Sequence, residues 1–413
     1  MRSRRLRDSH RRANARNDER RADTLSEGRS ADPPHDGGAT TTGIPENACA
    51  SPATDDRTCL SDVRCPAHPP TRAPGTDLAV TYPPRTGGAL AFPGPCVERR
   101  YEQPIAFAPD GGTLAIGGAV AVALHDSHSS AQRWSLPTPA RATSIAFAPD
   151  GSTLAIGLVD GRILLCRVAE GGITRTLVRP ERVGGNAAFD QDAARPLAFS
   201  PDGLLLAAGY ASFAALWKLA ADVPPTDVPP TVLRGSASGV VALAFTEDGS
   251  GLLVTQRGVP TDLRLPPVYL YRWRLAAWAA SNSLPLSTLG AVRLAGQGPT
   301  LAAATDGGVA FWALAPAPAS RDAPVLLERR NAPVPGPYSG STSMQWLTFS
   351  SRGDFLAGAT SDSVYLWDVA SATSIGLYLV PRQPINGVAL ASGGATVAAV
   401  FSDGTVYIWQ RSA

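Results

Sequence analysis

The chain has 413 residues, of which 44% are hydrophobic and 17% charged. These are ordinary values for a protein with a substantial core, and they exclude a wholly disordered chain. The formal net charge is only +2, so no global electrostatic field indicates nucleic-acid binding. The 40 Gly and 37 Pro predict many turns, and few windows show helical periodicity, which together favour an all-β protein.

Residues 1–75 differ in composition from the rest of the chain. They are rich in Arg, Asp, Ser, Pro and Thr, and residues 1–30 hold ten Arg against five acidic residues. Such a segment cannot bury enough apolar surface to offset its ordering entropy, so we predict that it is disordered. It is either a basic arm that contacts an acidic partner or RNA, or a solvated or even untranslated leader.

Targeting and membrane segments are not visible. The N-terminal Arg pairs are not followed by an apolar signal core, and no apolar run approaches the roughly 18 residues of a membrane helix. We therefore expect a cytoplasmic protein without a membrane segment. A start codon assigned too far upstream would change this expectation, because it would hide the true N-terminus.

Residues 76–413 contain a repeat with two landmarks. An apolar residue is followed four positions later by Gly in seven copies, of which Phe107-Ala-Pro-Asp-Gly111 and Phe147-Ala-Pro-Asp-Gly151 are the most alike. The glycines are Gly111, Gly151, Gly203, Gly249, Gly298, Gly353 and Gly394. The second landmark lies about 18 residues after each start, or later where an insertion intervenes. It is Trp217, Trp273, Trp312, Trp367 and Trp409, with His125 and Cys166 in the first two repeats. Seven units in phase predict a repeat architecture.

Each repeat has the pattern of a four-stranded antiparallel sheet. In the second repeat we predict strands over Ser144–Ala148, Thr153–Leu158, Arg162–Val168 and Ile173–Arg179, separated by turns that hold Pro, Asp and Gly. The second strand of a repeat is apolar at successive positions, which indicates neighbours on both faces. Sheets packed around an axis supply such neighbours, so the sequence predicts a seven-bladed β-propeller.

The repeats resemble the WD-repeat family from about residue 101 to Gln410. The copy at Phe349–Val369 is the most similar, and it ends in the dipeptide Trp367-Asp368. The resemblance implies a binding scaffold, with an Asp in the turn before the third strand of each blade. That Asp is present as Asp160, Asp306, Asp362 and Asp403. The Gly-His pair of the family is absent, so we expect stability to depend more on packing than on a polar network.

Closure of the ring is the next expectation. The chain stops four residues after Trp409, so the last blade needs a fourth strand from elsewhere. The family resemblance implies an N-terminal strand within residues 78–100, either Leu78–Tyr82 or Ala89–Phe92, and we favour the second.

Residues for catalysis or metal binding form no convincing set. Cys49, Cys59, Cys65 and Cys96 have irregular spacing. Although Cys59, Cys65 and His68 faintly resemble metal ligands, we interpret them as thiols of the tail. His125 and His128 are interpreted as part of a polar turn rather than a metal pair, and Cys166 as a buried apolar residue. We predict no catalytic residue, metal or cofactor.

Three long loops are the candidate binding surface. The resemblance implies that Pro180–Pro196, Gln256–Pro267 and Asn331–Ser343 emerge on one face, whereas Ala220–Pro230 is a stiff spacer on the other. The candidate partner-binding residues are Arg182, Arg257, Asp262, Arg264 and Tyr338, since Arg and Tyr are enriched at interface hot spots. Tolerated surface insertions without a ligand are the alternative for each loop.

The first hypothesis is a monomeric, non-catalytic scaffold that binds proteins or peptides. We expect no nucleic-acid partner, with the basic arm as the exception. The alternatives are a propeller enzyme, such as a metal-assisted hydrolase, and a propeller that binds a carbohydrate or another small ligand.

Overall fold

The structure is a computed structural model of the whole chain. It describes residues 80–81, 89–91, 103–180, 193–219, 229–234, 238–257, 268–276, 279–280, 284–286, 292–294, 300–305, 308–314, 326–334, 344–360, 363–379 and 384–411. All of them belong to the larger of two compact units, Arg64–Ala413.

The described residues form seven antiparallel sheets, which we number as blades in chain order. Before the first blade come β1 (Val80–Thr81) and β2 (Ala89–Ala91). Blade 1 consists of β3 (Ile105–Phe107), β4 (Thr113–Gly117), β5 (Ala121–Asp126) and β6 (Gln132–Pro137). Blade 2 consists of β7 (Ala142–Phe147), β8 (Thr153–Leu158), β9 (Ile163–Arg167) and β10 (Ile173–Leu177). Blade 3 consists of β11 (Leu197–Phe199), β12 (Leu205–Gly209), β13 (Ala214–Lys218) and β14 (Thr231–Leu233).

The remaining blades have the same order with small variations. Blade 4 consists of β15 (Ser238–Phe245), β16 (Gly251–Arg257) and β17 (Val268–Arg274), and its outer strand is in two pieces, β18 (Ala279–Ala280) and β19 (Leu284–Leu286). Blade 5 consists of β20 (Val292–Leu294), β21 (Thr300–Thr305), β22 (Gly308–Leu314) and β23 (Leu326–Pro333). Blade 6 consists of β24 (Trp346–Phe349), β25 (Phe355–Ala359), β26 (Ser363–Asp368) and β27 (Thr373–Leu379). Blade 7 consists of β28 (Ile385–Leu390), β29 (Thr396–Phe401) and β30 (Thr405–Gln410), with a short 3-10 helix at Ser392–Gly394.

The two N-terminal strands join the last two blades. β2 pairs antiparallel with β30, with Leu90 opposite Val406, and so provides the outer strand of blade 7. β1 pairs parallel with β27 and adds a fifth strand to blade 6. The strands β1 and β2 thus add to blades 6 and 7, and they join the beginning of the described chain to its end.

Side chains of the second and third strands alternate between the two neighbouring blades. In β8, Leu154 and Ile156 pack toward blade 1, whereas Ala155 packs toward blade 3. In β29, Val397 packs toward blade 6, whereas Val400 packs toward blade 1. Because successive side chains of a strand point to opposite faces, a strand between two sheets must be apolar at every position. The buried side chains of the described residues form seven such clusters, one for each pair of adjacent blades. The predicted seven-bladed propeller is therefore confirmed.

The turn between the first and second strands explains the repeated glycine. Gly151 has a φ of 72°, a left-handed conformation that disfavours side chains. Asp150 accepts a hydrogen bond from the Ser152 amide at 3.0 Å, which closes the same turn. The other repeat glycines that the structure describes also have positive φ, namely Gly111, Gly203, Gly249, Gly353 and Gly394. Gly298 lies outside the described residues.

The aromatic landmark occupies one equivalent position in every blade. It lies in the third strand, directly opposite an apolar residue near the start of the second strand, as Trp367 lies opposite Leu356. The corresponding pairs are His125 with Leu114, Cys166 with Leu154, Trp217 with Leu206, Trp273 with Leu252, Trp312 with Leu301 and Trp409 with Val397. All seven landmark residues are buried. Each tryptophan packs in the cluster that its blade shares with the preceding blade, where its large volume fills the space between two sheets.

Candidate partner-binding surface

The first strands of the blades border an axial channel. Their side chains are only partly buried in β3, β11 and most of β7, whereas those of the second strands are almost completely buried. Two cavities, of about 610 and 700 Å³, are lined by these first strands. The two cavities share the lining residues Ile145, Pro196, Leu197, Arg293 and Thr348. They are therefore the two ends of one channel.

One end, which we call the channel mouth, lies where the first strands begin. Its cavity of about 610 Å³ is lined by Gln103 of blade 1, Thr143 of blade 2, Val240 of blade 4 and Gly387 of blade 7, each at or near the start of its blade. The opposite end lies at the turns after the first strands, and it is bordered by charges of both signs, Asp110 and Arg352 among them.

Three arginines line the channel mouth on consecutive blades. Arg195 precedes the first strand of blade 3, Arg257 ends the second strand of blade 4, and Arg293 lies in the first strand of blade 5. Arg257 is exposed and the other two are half-buried. The described residues that line this mouth include no aspartate and no glutamate. We call these three residues the arginine arc.

The other blades line the channel mouth with uncharged residues. Blades 1 and 2 contribute Ile105 and Ile145, and blade 6 contributes Trp346, among the described residues. The Trp346 indole is half-buried, and its Nε1 donates a hydrogen bond of 2.8 Å to the Ile385 carbonyl of blade 7. Thr143 and Ser144 also donate to backbone carbonyls, in both cases that of Ala194. These hydrogen bonds hold the rim in place across adjacent blades.

The three long loops are attached at this mouth. Arg195 lies at the end of the first loop, Arg257 at the start of the second, and Met344 directly after the third, and all three line the same cavity. The second loop is shorter than the sequence predicted. Gln256 and Arg257 are paired in β16 with Tyr269 and Val268.

The third loop needs the same correction. Asn331, Ala332 and Pro333 continue β23, because β22 extends far enough to pair with them. Of the five predicted binding residues, the structure places Arg257 at the mouth. Arg182, Asp262, Arg264 and Tyr338 lie outside the described residues.

Two residues of the arginine arc were missed in the sequence. Arg293 occupies the position before the apolar landmark, where the other repeats have Ala106, Ala146, Ala198, Ala244, Thr348 and Ala389. The strand pairing shows that Arg293 and Ala146 occupy equivalent positions in their blades. Arg293 lies opposite Ala302, and Ala146 lies opposite Ala155. A single arginine in a column of small residues that faces the channel was a readable signal. Arg195, which precedes its strand, had no comparable signal.

Carboxylates in the described turns are engaged by their own turns. Asp126 accepts hydrogen bonds from the backbone and side chain of Ser129 and from Arg133, and these bonds lower its pKa. Asp248 accepts them from Thr246 and Ser250, which lowers its pKa to about 2. Each of these groups therefore carries a full negative charge at neutral pH and acts as a turn cap. The turn residues Asp160 and Asp403 likewise accept from the Arg162 and Thr405 amides, whereas Asp306 and Asp362 lie outside the described residues.

Of the two histidines His125 and His128, the first is buried and the second is exposed. His125 is buried in β5, where burial lowers its pKa, an effect partly opposed by a contact with the Ser130 carbonyl. His128 is exposed in the following turn. Across the described part of the chain, no three His, Cys, Asp or Glu side chains are grouped as metal ligands. The helix search over the same residues found none long and apolar enough to span a membrane.

The last blade matches a known sequence family. Residues 378–410 match the model of the WD domain, G-beta repeat, and the matched segment contains the Gly394 and Trp409 landmarks. The chain is a seven-bladed β-propeller whose last blade is similar to a WD repeat. No curated protein matches the chain.

The fold is similar to that of a solved propeller. The crystal structure of the Cps50 (Swd1) β-propeller domain of Myceliophteria thermophila superposes with a TM-score of 0.59, covering 76% of this chain and 97% of that chain. The two are 15% identical in sequence, so this similarity concerns the fold alone.

Proposed function

We propose that this WD-repeat propeller is a non-catalytic scaffold that binds a protein partner at the channel mouth. One observation carries the proposal: the described residues next to all three long loops line a single cavity of about 610 Å³. Loops on a rigid framework are common sites of recognition, because the framework fixes their ends while their sequences vary. Burial of a partner segment in such a concavity also removes more apolar surface from water than contact with a flat surface.

The rigidity of the rim supports the same function. The channel mouth is held by hydrogen bonds between adjacent blades, such as that from Trp346 to Ile385. Its first strands are anchored to second strands that are almost completely buried. A surface that does not rearrange loses little conformational entropy when it binds, which favours affinity.

A steric block of the channel mouth tests this function. Gln345 is exposed and lines the mouth on its uncharged side, so Gln345→Trp fills part of the cavity without a change of charge. Gln132 is exposed on the outer strand of blade 1, and Gln132→Trp is the matched control. Both full-length variants are used for affinity capture from native lysate, with quantitative identification of the captured proteins.

The expected result is that Gln345→Trp loses a specific set of proteins that wild type and Gln132→Trp retain. All three proteins should unfold at the same temperature within about 2 °C, since both substitutions are on the surface. Equal capture by the three proteins would show that the mouth is not the binding surface.

A further inference from the structure

Blade 6 accepts an additional strand at its outer edge. The edge of a sheet has unpaired backbone N–H and C=O groups, and these can pair with a strand from elsewhere. Among the described blades, blade 6 has a further strand, β1, beyond its own outer strand β27, and the two strands are parallel. This edge therefore already pairs with a segment from a distant part of the sequence.

The outer strand β27 lacks the features that usually protect an edge strand. It is seven residues long and contains neither a charged residue nor proline. The other described outer strands are either at most three residues long, as are β2, β14, β18 and β19, or contain charged residues, as do β6, β10 and β23. Short length, charge and proline each hinder pairing with another chain. In the described part of the chain, β27 is therefore the outer strand best suited to accept a partner strand.

The strand β1 covers only part of this edge. A bulge at Ile375 bends β27, so the segment available for regular pairing is Gly376–Leu379. Within this segment β1 pairs with Leu377 and Tyr378, and no described strand pairs on that side with the residue at either end. Two residue pairs provide few hydrogen bonds, and parallel pairing is less stable per residue than antiparallel pairing. A longer strand would form more hydrogen bonds here than β1 does.

Departure of β1 would leave the ring closed. The outer strand of blade 7 is β2, which pairs with β30 independently of β1. The two N-terminal strands are separated by residues 82–88. The edge of blade 6 can therefore open while blade 7 keeps its four strands.

We infer that the outer edge of blade 6 is an acceptor site for an extended segment of a partner protein. The segment pairs parallel with Gly376–Leu379 and replaces β1, which is a built-in competitor for the site. Main-chain hydrogen bonds provide most of the affinity, so the segment needs about four or more residues in extended conformation and no proline among them. The site is at the outer rim of the ring, apart from the channel mouth, so the inference does not depend on the proposed function.

A second copy of the chain fits this edge less well than an extended segment does. A twofold axis can pair two identical edge strands only antiparallel, because parallel hydrogen bonding needs an offset along the strands. The strand that occupies this edge is parallel to β27. A partner that presents a free extended segment has no such restriction.

Three peptides test whether the edge accepts a strand. The first is Asp-Leu-Ala-Val-Thr-Tyr-Pro, which is the chain's own segment 77–83. The second, Lys-Gly-Val-Thr-Ile-Thr-Gly, is unrelated in sequence but rich in β-branched residues, which favour strands. The third is the first peptide with Pro-Pro in place of Val-Thr, and it cannot donate the hydrogen bonds of a strand.

Two full-length variants provide the comparison. The double substitution Val80→Pro and Thr81→Pro removes β1 from the edge, because proline has no N–H to donate. The double substitution Thr76→Pro and Asp77→Pro introduces the same residues just before β1 and is the matched control. Binding is measured by NMR on protein with isotope-labelled leucine and tyrosine, so that Leu377, Tyr378 and Leu379 report on the edge.

In the variant without β1, both strand peptides should shift the three signals saturably, and the Pro-Pro peptide should not. Wild type and the control variant should bind the strand peptides at least about tenfold more weakly, because the tethered β1 competes at a high effective concentration. A spin label at the N-terminus of the peptide should broaden Leu377 more than Leu379, since parallel pairing places that end nearer Leu377.

Hydrogen exchange of the wild-type protein decides the case in which the variant without β1 does not fold. The amides of Val80 and Thr81 should exchange at least about a hundredfold faster than those of the buried strand β29, because β1 leaves the edge while the blades stay folded. Exchange of both sets at one rate would show that β1 leaves only on global unfolding, and the inference would be wrong.

Four other results would overturn the inference. A folded variant without saturable shifts would show that the edge accepts no strand, and equal binding by wild type and this variant would place the peptides elsewhere. A dimer of the variant that the strand peptides dissociate would assign the edge to a second copy of the chain. Loss of peptide binding in Gln345→Trp would place the peptides at the channel mouth. If the peptides bind at the edge while Gln345→Trp leaves partner capture unchanged, the acceptor site stands and the proposed function is wrong.

Discussion

The Trp346 indole Nε1 donates a hydrogen bond of 2.8 Å to the Ile385 carbonyl, and this bond connects blade 6 to blade 7 at the channel mouth. Trp346 begins the first strand of its blade and Ile385 begins that of the next. The bond thus fixes the separation of two adjacent strands at the surface where we propose that a protein partner binds. Loss of this bond would therefore affect both the stability of the ring and the shape of the channel mouth.

Replacement of Trp346 by Phe should reveal this connection. The aromatic ring is kept, but the Ile385 carbonyl loses its donor, so the free energy of unfolding should fall by about 1 kcal/mol. Chemical denaturation with urea measures the change. Trp134→Phe is a suitable comparison, because Trp134 Nε1 donates a bond of the same length to the Val168 carbonyl at the outer edge of blades 1 and 2. Both variants should be similarly destabilised. A stability equal to wild type in Trp346→Phe would show that water replaces the lost donor.

The landmark tryptophans should contribute more to stability than those at the rim. Trp367 is completely buried between blades 5 and 6 and stacks on Tyr365, with ring centroids 5.7 Å apart. Trp367→Ala should lower the free energy of unfolding by about 3–5 kcal/mol, through lost burial and the cavity left between two sheets. Trp134→Ala, which removes a half-buried ring, should cost about half as much or less. Equal costs would mean that the space between blades closes readily around a missing ring.

The number of blades could be predicted from the sequence because the repeat has two landmarks at a nearly constant distance. Gly151 adopts a positive φ that favours glycine, and Trp217 and Trp367 each fill a space between two adjacent sheets. The left-handed glycine recurs in six blades of the described chain, and the tryptophan in five. The parallel pairing of Val80–Thr81 with blade 6 was not predicted, because a two-residue strand has no pattern of its own.

The residues that meet at the channel mouth were harder to predict, for a different physical reason. Arg195 and Arg293 are about a hundred residues apart in the chain and come together only because three blades stand side by side. The described ends of the three long loops lie at the channel mouth, but the strands continue further into two of the loops than their sequences suggest. Strand pairing with an extended neighbour, as between Gln256 and Tyr269, decides where such a loop begins.

The buried His125 should make the stability of the propeller depend on pH. Burial lowers its pKa below the usual value of 6.5, so the unfolded chain binds more protons than the folded chain around that pH. Stability should therefore rise with pH through this region and fall as the pH drops below about 6.5. The slope from this one group is at most about 1.4 kcal/mol for each pH unit.

Replacement of the two histidines in turn checks this assignment. His125→Gln should flatten the dependence of the unfolding free energy between pH 5 and 7.5, whatever it does to stability at pH 7.5. His128→Gln, at an exposed position three residues later, should retain the wild-type slope. The same slope in both variants would assign the pH dependence to other groups.

The thiol of Cys166 should be unreactive until blade 2 opens. Cys166 occupies the landmark position of its blade, is completely buried, and has its pKa raised to about 12 by burial. The thiolate is the reactive form, so both its small population and its lack of access slow any reaction. In a variant in which Cys49, Cys59, Cys65 and Cys96 are replaced by Ser, a thiol reagent at pH 8 should modify less than about a tenth of the native protein in an hour. The same reagent should modify it completely within minutes in denaturant.

The rate of this labelling also measures how blade 2 opens. If modification requires global unfolding, its rate should rise with urea concentration as steeply as the global unfolding equilibrium does. If it requires only local separation of blades 1 and 2, which the cluster around Cys166 joins, the rate should depend only weakly on low concentrations of urea, because such an opening exposes little surface. Rapid labelling of the native protein would contradict the tight packing between the first two blades. The four-serine variant without Cys166, obtained by Cys166→Ala, provides the background for every measurement.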